Sequence, residues 1–115
     1  METSKPGLTG MIQSLDAVLA QRKQADPASS YTAKLFSKGL PKILAKVVEE
    51  SCETVEAAYE EGSDHLVAET ADLWFHTLVL LHHKGRSGAD VLAELSRRFG
   101  TSGIEEKNSR SKESQ

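Results

Sequence analysis

Cysteine is nearly missing from this chain: Cys52 stands alone, so no intrachain disulfide can brace the fold. Aromatic residues fill only 5% of the 115 positions and proline occurs three times, which leaves aliphatic packing as the main source of cohesion. Long apolar runs are missing too. The longest, Leu73 to Leu81, is interrupted by His76 and Thr77 and falls far short of the ~20 consecutive apolar residues that span a bilayer. The opening METSKPGLTG carries no apolar h-region of the secretory type, so a cytoplasmic protein without a membrane partner is expected. An excess of basic charge is also lacking. With a formal net charge of −3 and no stripe of Lys or Arg, no nucleic-acid partner is expected, because such binding rests on clustered cations releasing counterions.

Strand-type alternation of apolar and polar residues is absent as well, and what remains is helical periodicity. From Gly10 to about Lys23, the positions Met11, Ile12, Leu15, Val18 and Leu19 trace one helical face, with Thr9 placed to cap it. The segment ADPASSY reads as a linker, after which Ser30 opens a short helix through Phe36 that Gly39 ends. Pro41 suits the first turn of a long second helix running to about Glu61, with Gly62 just beyond it. Leu40, Leu44, Val47, Val48, Ser51, Val55 and Ala58 form its apolar stripe. Ser63 or Asp64 caps a third helix that continues to Lys84 and stops at Gly85. Ser87 opens a fourth, with Asp90 in the capping-box position, Val91, Leu92, Leu95 and Phe99 turned inward, and Gly100 closing it. The class is all-α and four-helix-bundle-like, one domain over residues 1–101. Residues 102–115 contain a single aliphatic side chain, Ile104, and are expected to form a mobile polar tail.

Two acidic pairs interrupt this pattern. Glu50 and Glu53 are three apart on the second helix, and Glu69 and Asp72 are three apart on the third, a spacing that puts each pair on one side of its helix. The short link around Gly62 makes the helices antiparallel neighbours, so the pairs approach each other if both face inward. On the second helix alone, Glu49, Glu50, Glu53, Glu56 and Glu60 project away from the apolar stripe and read as a solvated acidic face. The third helix is different. Leu66, Val67, Ala71, Leu73, Trp74, Phe75, Leu78, Val79, Leu80 and Leu81 point nearly all round it, while Glu69, Asp72, His76 and His83 share one narrow polar strip. Like charges ~4 Å apart repel by roughly 4 kcal/mol at an effective dielectric near 20. Protonation, a lysine among Lys34, Lys38, Lys42 and Lys46, or a divalent cation must relieve that. Two oxygen pairs on facing helices suit Mg²⁺ or Mn²⁺.

A third helix apolar on so many sides also leaves surface that four short helices do not cover, and a second copy of the chain is the simplest cover. A homodimer is expected. His82 and His83 sit where the helix dipole favours a structural role. Cys52 reads as a small core residue, and Trp74 as core or interface.

The run Glu50-x-x-Glu53, fifteen intervening residues, then Glu69-x-x-Asp72 resembles the signature of the all-α nucleoside triphosphate pyrophosphohydrolases, the MazG-like superfamily. Ser30-Tyr31-Thr32-Ala33-Lys34-Leu35-Phe36, Lys46-Val47-Val48-Glu49-Glu50 and Ala71-Asp72-Leu73-Trp74-Phe75-His76 are similar, within that group, to the phosphoribosyl-ATP pyrophosphatase family. The similarity covers roughly residues 8–107. It departs at Val48, where the family often has glycine, on the apolar side of the helix. The resemblance implies hydrolysis of phosphoribosyl-ATP to phosphoribosyl-AMP and pyrophosphate, the second step of histidine biosynthesis, with Mg²⁺ held by Glu50, Glu53, Glu69 and Asp72. It further implies that Glu49, or one of the four ligands, serves as general base. Lys34 and Lys46 become candidates for neutralising phosphate, with Ser30, Tyr31 and Thr32 near the nucleotide.

Three rival readings make different demands. A house-cleaning pyrophosphatase of the same superfamily would prefer another nucleotide. A di-iron carboxylate bundle needs Glu-x-x-His pairs, whereas the i+3 partners here are Glu53 and Asp72. A metal-free helical interaction module would keep its acids as a mere charged face, indifferent to Mg²⁺.

Overall fold

The computed structural model describes residues 10–99, all in helices and the short connections between them. Five α-helices follow in order: α1 (Met11–Gln24), α2 (Tyr31–Lys38), α3 (Leu40–Ala58), α4 (Asp64–His83) and α5 (Gly88–Phe99), with one 3₁₀ turn at Pro27–Ser29 before α2. The expected all-α class is what the chain forms. Thr9, Gly100, the boundary at residue 101 and the tail lie outside the described residues. No helix among those described is long and apolar enough to cross a membrane.

Local chemistry sets most helix ends. The Ser30 hydroxyl accepts the Ala33 amide at 3.0 Å and starts α2. Gly39 ends it at a φ of 85°, and Pro41 then sits in the first turn of α3. After α4, Arg86 N–H donates to the Leu81 carbonyl at 2.8 Å and Gly85 N–H to that of His82 at 3.0 Å, the Schellman arrangement, with Gly85 at a φ of 79°. Ser87 and Asp90 exchange their amide-to-side-chain bonds at 3.0 and 3.2 Å, so the Asp-containing capping box forms. The second long helix stops three residues before the expected Glu61. Its last amides turn instead to carbonyls three back, Tyr59 to Glu56 and Glu60 to Ala57, which tightens the final turn before Gly62.

The core is built from Leu19 of α1, Leu35 and Phe36 of α2, Ile43 of α3, and Leu78 and Val79 of α4. The most extensive pairing is α3 against α4. In it Glu53 meets Glu69 while Glu50 meets His76, the descending register of an antiparallel hairpin. On the other side, Asp16 of α1 joins His82 of α4 to the first amides of α5.

The packing overturns several expectations about which faces turn inward. The apolar stripe of α3 is largely outside: Leu44, Val48 and Val55 are exposed, whereas Ile43, Glu50 and Ala57 are buried. Helix α4 is covered on one side only, with Val67 and Trp74 exposed. On α5, Val91, Leu92, Leu95 and Phe99 are exposed as well, and Cys52 is on the surface. A hydrophobic stripe announces a face that avoids water, and it does not say whether the same chain or another one covers it.

Candidate metal and nucleotide site

Because α3 presents Ile43, Glu50 and Ala57 to the interior, Glu50 enters the α3–α4 seam with only 6% of its surface exposed. One oxygen each of Glu50, Glu69 and Asp72 lies within 4.8 Å of the others. The Glu53 side chain completes the group, close enough to both Glu50 and Glu69 to raise the pKa of each. The structure thus brings all four acids together, and the solvated-face reading of α3 fails for Glu50.

The electrostatics of this cluster are unfavourable as it stands. Burial lifts the Glu50 carboxyl to about 7, aided by the hydrogen bond and charge of Glu53 and the charge of Asp72, against a small opposing pull from Lys46. Glu69 is raised too, first by its hydrogen bond with Glu53 and then by burial, with His65 acting the other way. Glu50 Oε2 and Glu69 Oε2 are buried without any hydrogen-bond donor among the described residues. Buried carboxylate oxygens without partners are costly. Oxygen donors packed this closely, two of them unsatisfied, fit a hard divalent cation.

The surroundings are cationic and aromatic. Lys46 donates to Glu49 at 3.2 Å and lies 3.9 Å from Glu50, so it alone of the four candidate lysines is seen to reach the acids. Glu49 is exposed beside it. His65, on the first turn of α4, places Nδ1 2.7 Å from Glu60 and Nε2 3.0 Å from Glu69, and its pKa is raised by the Glu60 contact first and the Glu69 contact second. His76, almost fully buried, sits between Glu50 and the hydroxyl of Tyr31. Tyr31 in turn borders an open cleft of about 780 Å³ together with Asp26, Pro27, Ala28, Ser30 and Lys34.

Of the residues expected near substrate, Ser30, Tyr31 and Lys34 line this cleft, although the Ser30 hydroxyl already accepts the Ala33 amide. Thr32 is half-buried and is not among the lining residues. His65 and His76 carried no expected role. His76 shares a polar strip with Glu69 and Asp72 in the sequence, which is the one signal that could have singled it out. His65 has none beyond its position four before Glu69.

An all-α bundle in which acids converge from an antiparallel helix pair is a class of fold whose carboxylates could hold a divalent cation. The family model of phosphoribosyl-ATP pyrophosphohydrolase matches residues 12–99, and the chain belongs to that family. It is 56% identical over 102 residues to the phosphoribosyl-ATP pyrophosphatase of Hydrogenovibrio crunogenus, covering 85% of this chain and 90% of that protein. Similar proteins of the same name occur in an Azoarcus species, 55% identical over 82% of this chain and 88% of the relative. Another, in Neisseria gonorrhoeae, is 49% identical over 87% and 94%.

Proposed function

We propose that this protein hydrolyses phosphoribosyl-ATP to phosphoribosyl-AMP and pyrophosphate in histidine biosynthesis, with Mg²⁺ held by Glu50, Glu53, Glu69 and Asp72. The observation that carries the metal is the pair of buried, unpartnered oxygens, Glu50 Oε2 and Glu69 Oε2, inside the cluster of Glu50, Glu69 and Asp72 that Glu53 adjoins. The substrate rests on family membership. Mn²⁺ would satisfy the same oxygens. When bound, such a cation offsets charge on the pyrophosphate leaving group and acts as a Lewis acid.

The chain's own residues do the rest. Lys46, held next to the cluster by Glu49, supplies a fixed positive charge for phosphate oxygens. Glu49 is exposed at the edge of the acids and can take a proton from water; any of the four ligands not fully engaged could do the same. Lys34, Ser30 and Tyr31 place polar groups along the adjacent cleft, where the phosphoribosyl-nucleotide body would lie.

A second copy of the chain completes this reading. Val67, Ala71 and Trp74 repeat at helical spacing on the side of α4 away from the acids. Trp74, 64% exposed, borders two apolar depressions, one with Leu66, Val67 and Thr70, the other with Ile12, Leu92 and Leu95. Apolar surface continuous across three helices is what a homodimer would bury.

Pyrophosphate release from phosphoribosyl-ATP and from a panel of ordinary nucleoside triphosphates, with and without Mg²⁺, tests the proposal. Mg²⁺-dependent preference for phosphoribosyl-ATP is expected. Preference for another triphosphate would assign a house-cleaning role instead, and no turnover of any of them would favour a non-catalytic module.

A further inference from the structure

His76 is the side chain that touches both halves of the proposed site. It is buried on α4, 6% exposed, yet all its hydrogen-bonding capacity is directed at residues of functional interest or their backbone. Nδ1 lies 3.0 Å from the Asp72 carbonyl and 3.4 Å from Glu50 Oε1. The Asp72 carbonyl is an acceptor, so Nδ1 carries the proton and donates to it, with Glu50 Oε1 alongside on the same edge of the ring. Nε2 is then the acceptor, and the Tyr31 hydroxyl donates to it at 3.0 Å. Ring packing restricts the imidazole further: Tyr31 and Phe75 stand edge-on to it, with interplanar angles of 89° and 86°.

We propose that His76 is a positioning residue that holds Glu50 through Nδ1 and Tyr31 through Nε2, fixing the metal-binding carboxylate relative to the wall of the nucleotide cleft. It has no need to touch either ligand. The local bond to the Asp72 carbonyl, one turn back on its own helix, anchors the ring. The two remaining contacts reach α3 and α2, so one imidazole ties three helices at the place where metal and substrate would meet. A buried histidine serving only the core would not need both nitrogens turned toward site residues. Tyr31 is mostly exposed and has no other side-chain hydrogen bond among the described residues, so without His76 its hydroxyl would be free to rotate with solvent.

This inference rests on the metal and substrate reading above, and its test separates the two. An asparagine amide reaches the place of Nδ1, and a glutamine amide the place of Nε2. His76→Asn therefore keeps a donor toward Glu50 and releases Tyr31, whereas His76→Gln keeps the Tyr31 contact and releases Glu50. Mn²⁺ affinity measured by calorimetry is expected to fall roughly tenfold or more in His76→Gln. It should stay near the wild-type value in His76→Asn and in Tyr31→Phe. KM for phosphoribosyl-ATP should rise severalfold in both of the latter. Their double variant should be no worse than either alone, because both remove the same contact.

Equal losses of Mn²⁺ affinity in His76→Asn and His76→Gln, tracking their thermal stabilities, would overturn the proposal, as would additivity in the double variant. Should His76→Gln fail to fold, the non-additivity of Tyr31→Phe with His76→Asn still decides. If wild-type protein turned over no phosphoribosyl-ATP, the substrate reading would fall, while the Mn²⁺ comparison would still judge His76.

Discussion

His82 on α4 donates through Nε2 to the carboxylate of Asp16 on α1 at 2.8 Å, across 66 residues of sequence, and that carboxylate also accepts the Gly88 and Ala89 amides at 2.7 and 3.0 Å. Asp16 is thus the N-terminal cap of a helix to which it does not belong. Lys23 secures the other side by donating to the His82 carbonyl at 2.6 Å. The first turn of α5 receives two of its missing acceptors from Asp16 and a third from Ser87.

Removing this cap is expected to be costly. Asp16→Ala leaves two helix amides and a buried imidazole without partners, and should destabilise the fold by about 2 kcal/mol. The corresponding loss in Tm is about 10 °C, read by thermal denaturation of the two proteins. Burial alone would raise the Asp16 pKa, but the bonds from His82 and the two amides outweigh it and hold it below 3.8. The cap's contribution is therefore complete above that value and disappears as the pH falls through the lower folded one.

The acid cluster predicts the opposite pH behaviour. Glu50 rises from 4.5 to about 7 in the metal-free fold. Between these values the folded protein keeps a proton that the unfolded chain has released, so stability declines as the pH rises through this window, and the penalty is complete above about 7. Chelator-treated protein should lose about 5 °C or more in Tm from pH 5 to pH 8. Added Mg²⁺ should restore more at the higher pH, where the ligands are ionised. A flat profile, unaffected by Mg²⁺, would contradict the metal site.

The helix boundaries were legible because capping is local chemistry. Ser30, Gly39, Gly85 and the Ser87–Asp90 pair each act within a few residues of themselves, and the structure places them where the spacing predicts. The acidic pairs were legible for the same reason, since i,i+3 spacing fixes a common side. Which side of α3 faces its neighbour was not. Glu50 lies at the edge of a stripe in which Val48 and Val55, though not Val47, are exposed in the folded chain, and hydrophobicity alone cannot distinguish a core face from a face awaiting another surface. Asp16 with His82, and Tyr31 with His76, were invisible because they form only after helices distant in sequence have packed.

Two neutral substitutions isolate the metal from the fold. Glu69→Gln combined with Asp72→Asn preserves side-chain size while removing two of the charges that converge on Glu50 and Glu53. Turnover of phosphoribosyl-ATP is expected to drop by about a hundredfold or more, together with loss of Mg²⁺-induced thermal stabilisation. Retained activity would show that these acids are only a charged surface.

Trp74 offers the sharpest test of self-association. It is mostly exposed and borders both apolar depressions on the outer side of α4. Sedimentation of wild-type protein should reveal a dimer at micromolar concentration, and Trp74→Lys should shift it to monomer by placing a charge in the shared surface. A monomeric wild-type protein would leave the apolar seam unexplained.

The unpartnered oxygens of Glu50 and Glu69 have an implication for anyone engineering this chain. Selection for heat resistance in the absence of metal would reward replacement of these acids, because each neutral substitute relieves local repulsion, and the hardiest survivors would be catalytically dead. If these acids hold the cation as proposed, durability and turnover pull in opposite directions at this one spot. A library screened for both must be challenged with Mg²⁺ present, so that the working arrangement is also the stable one.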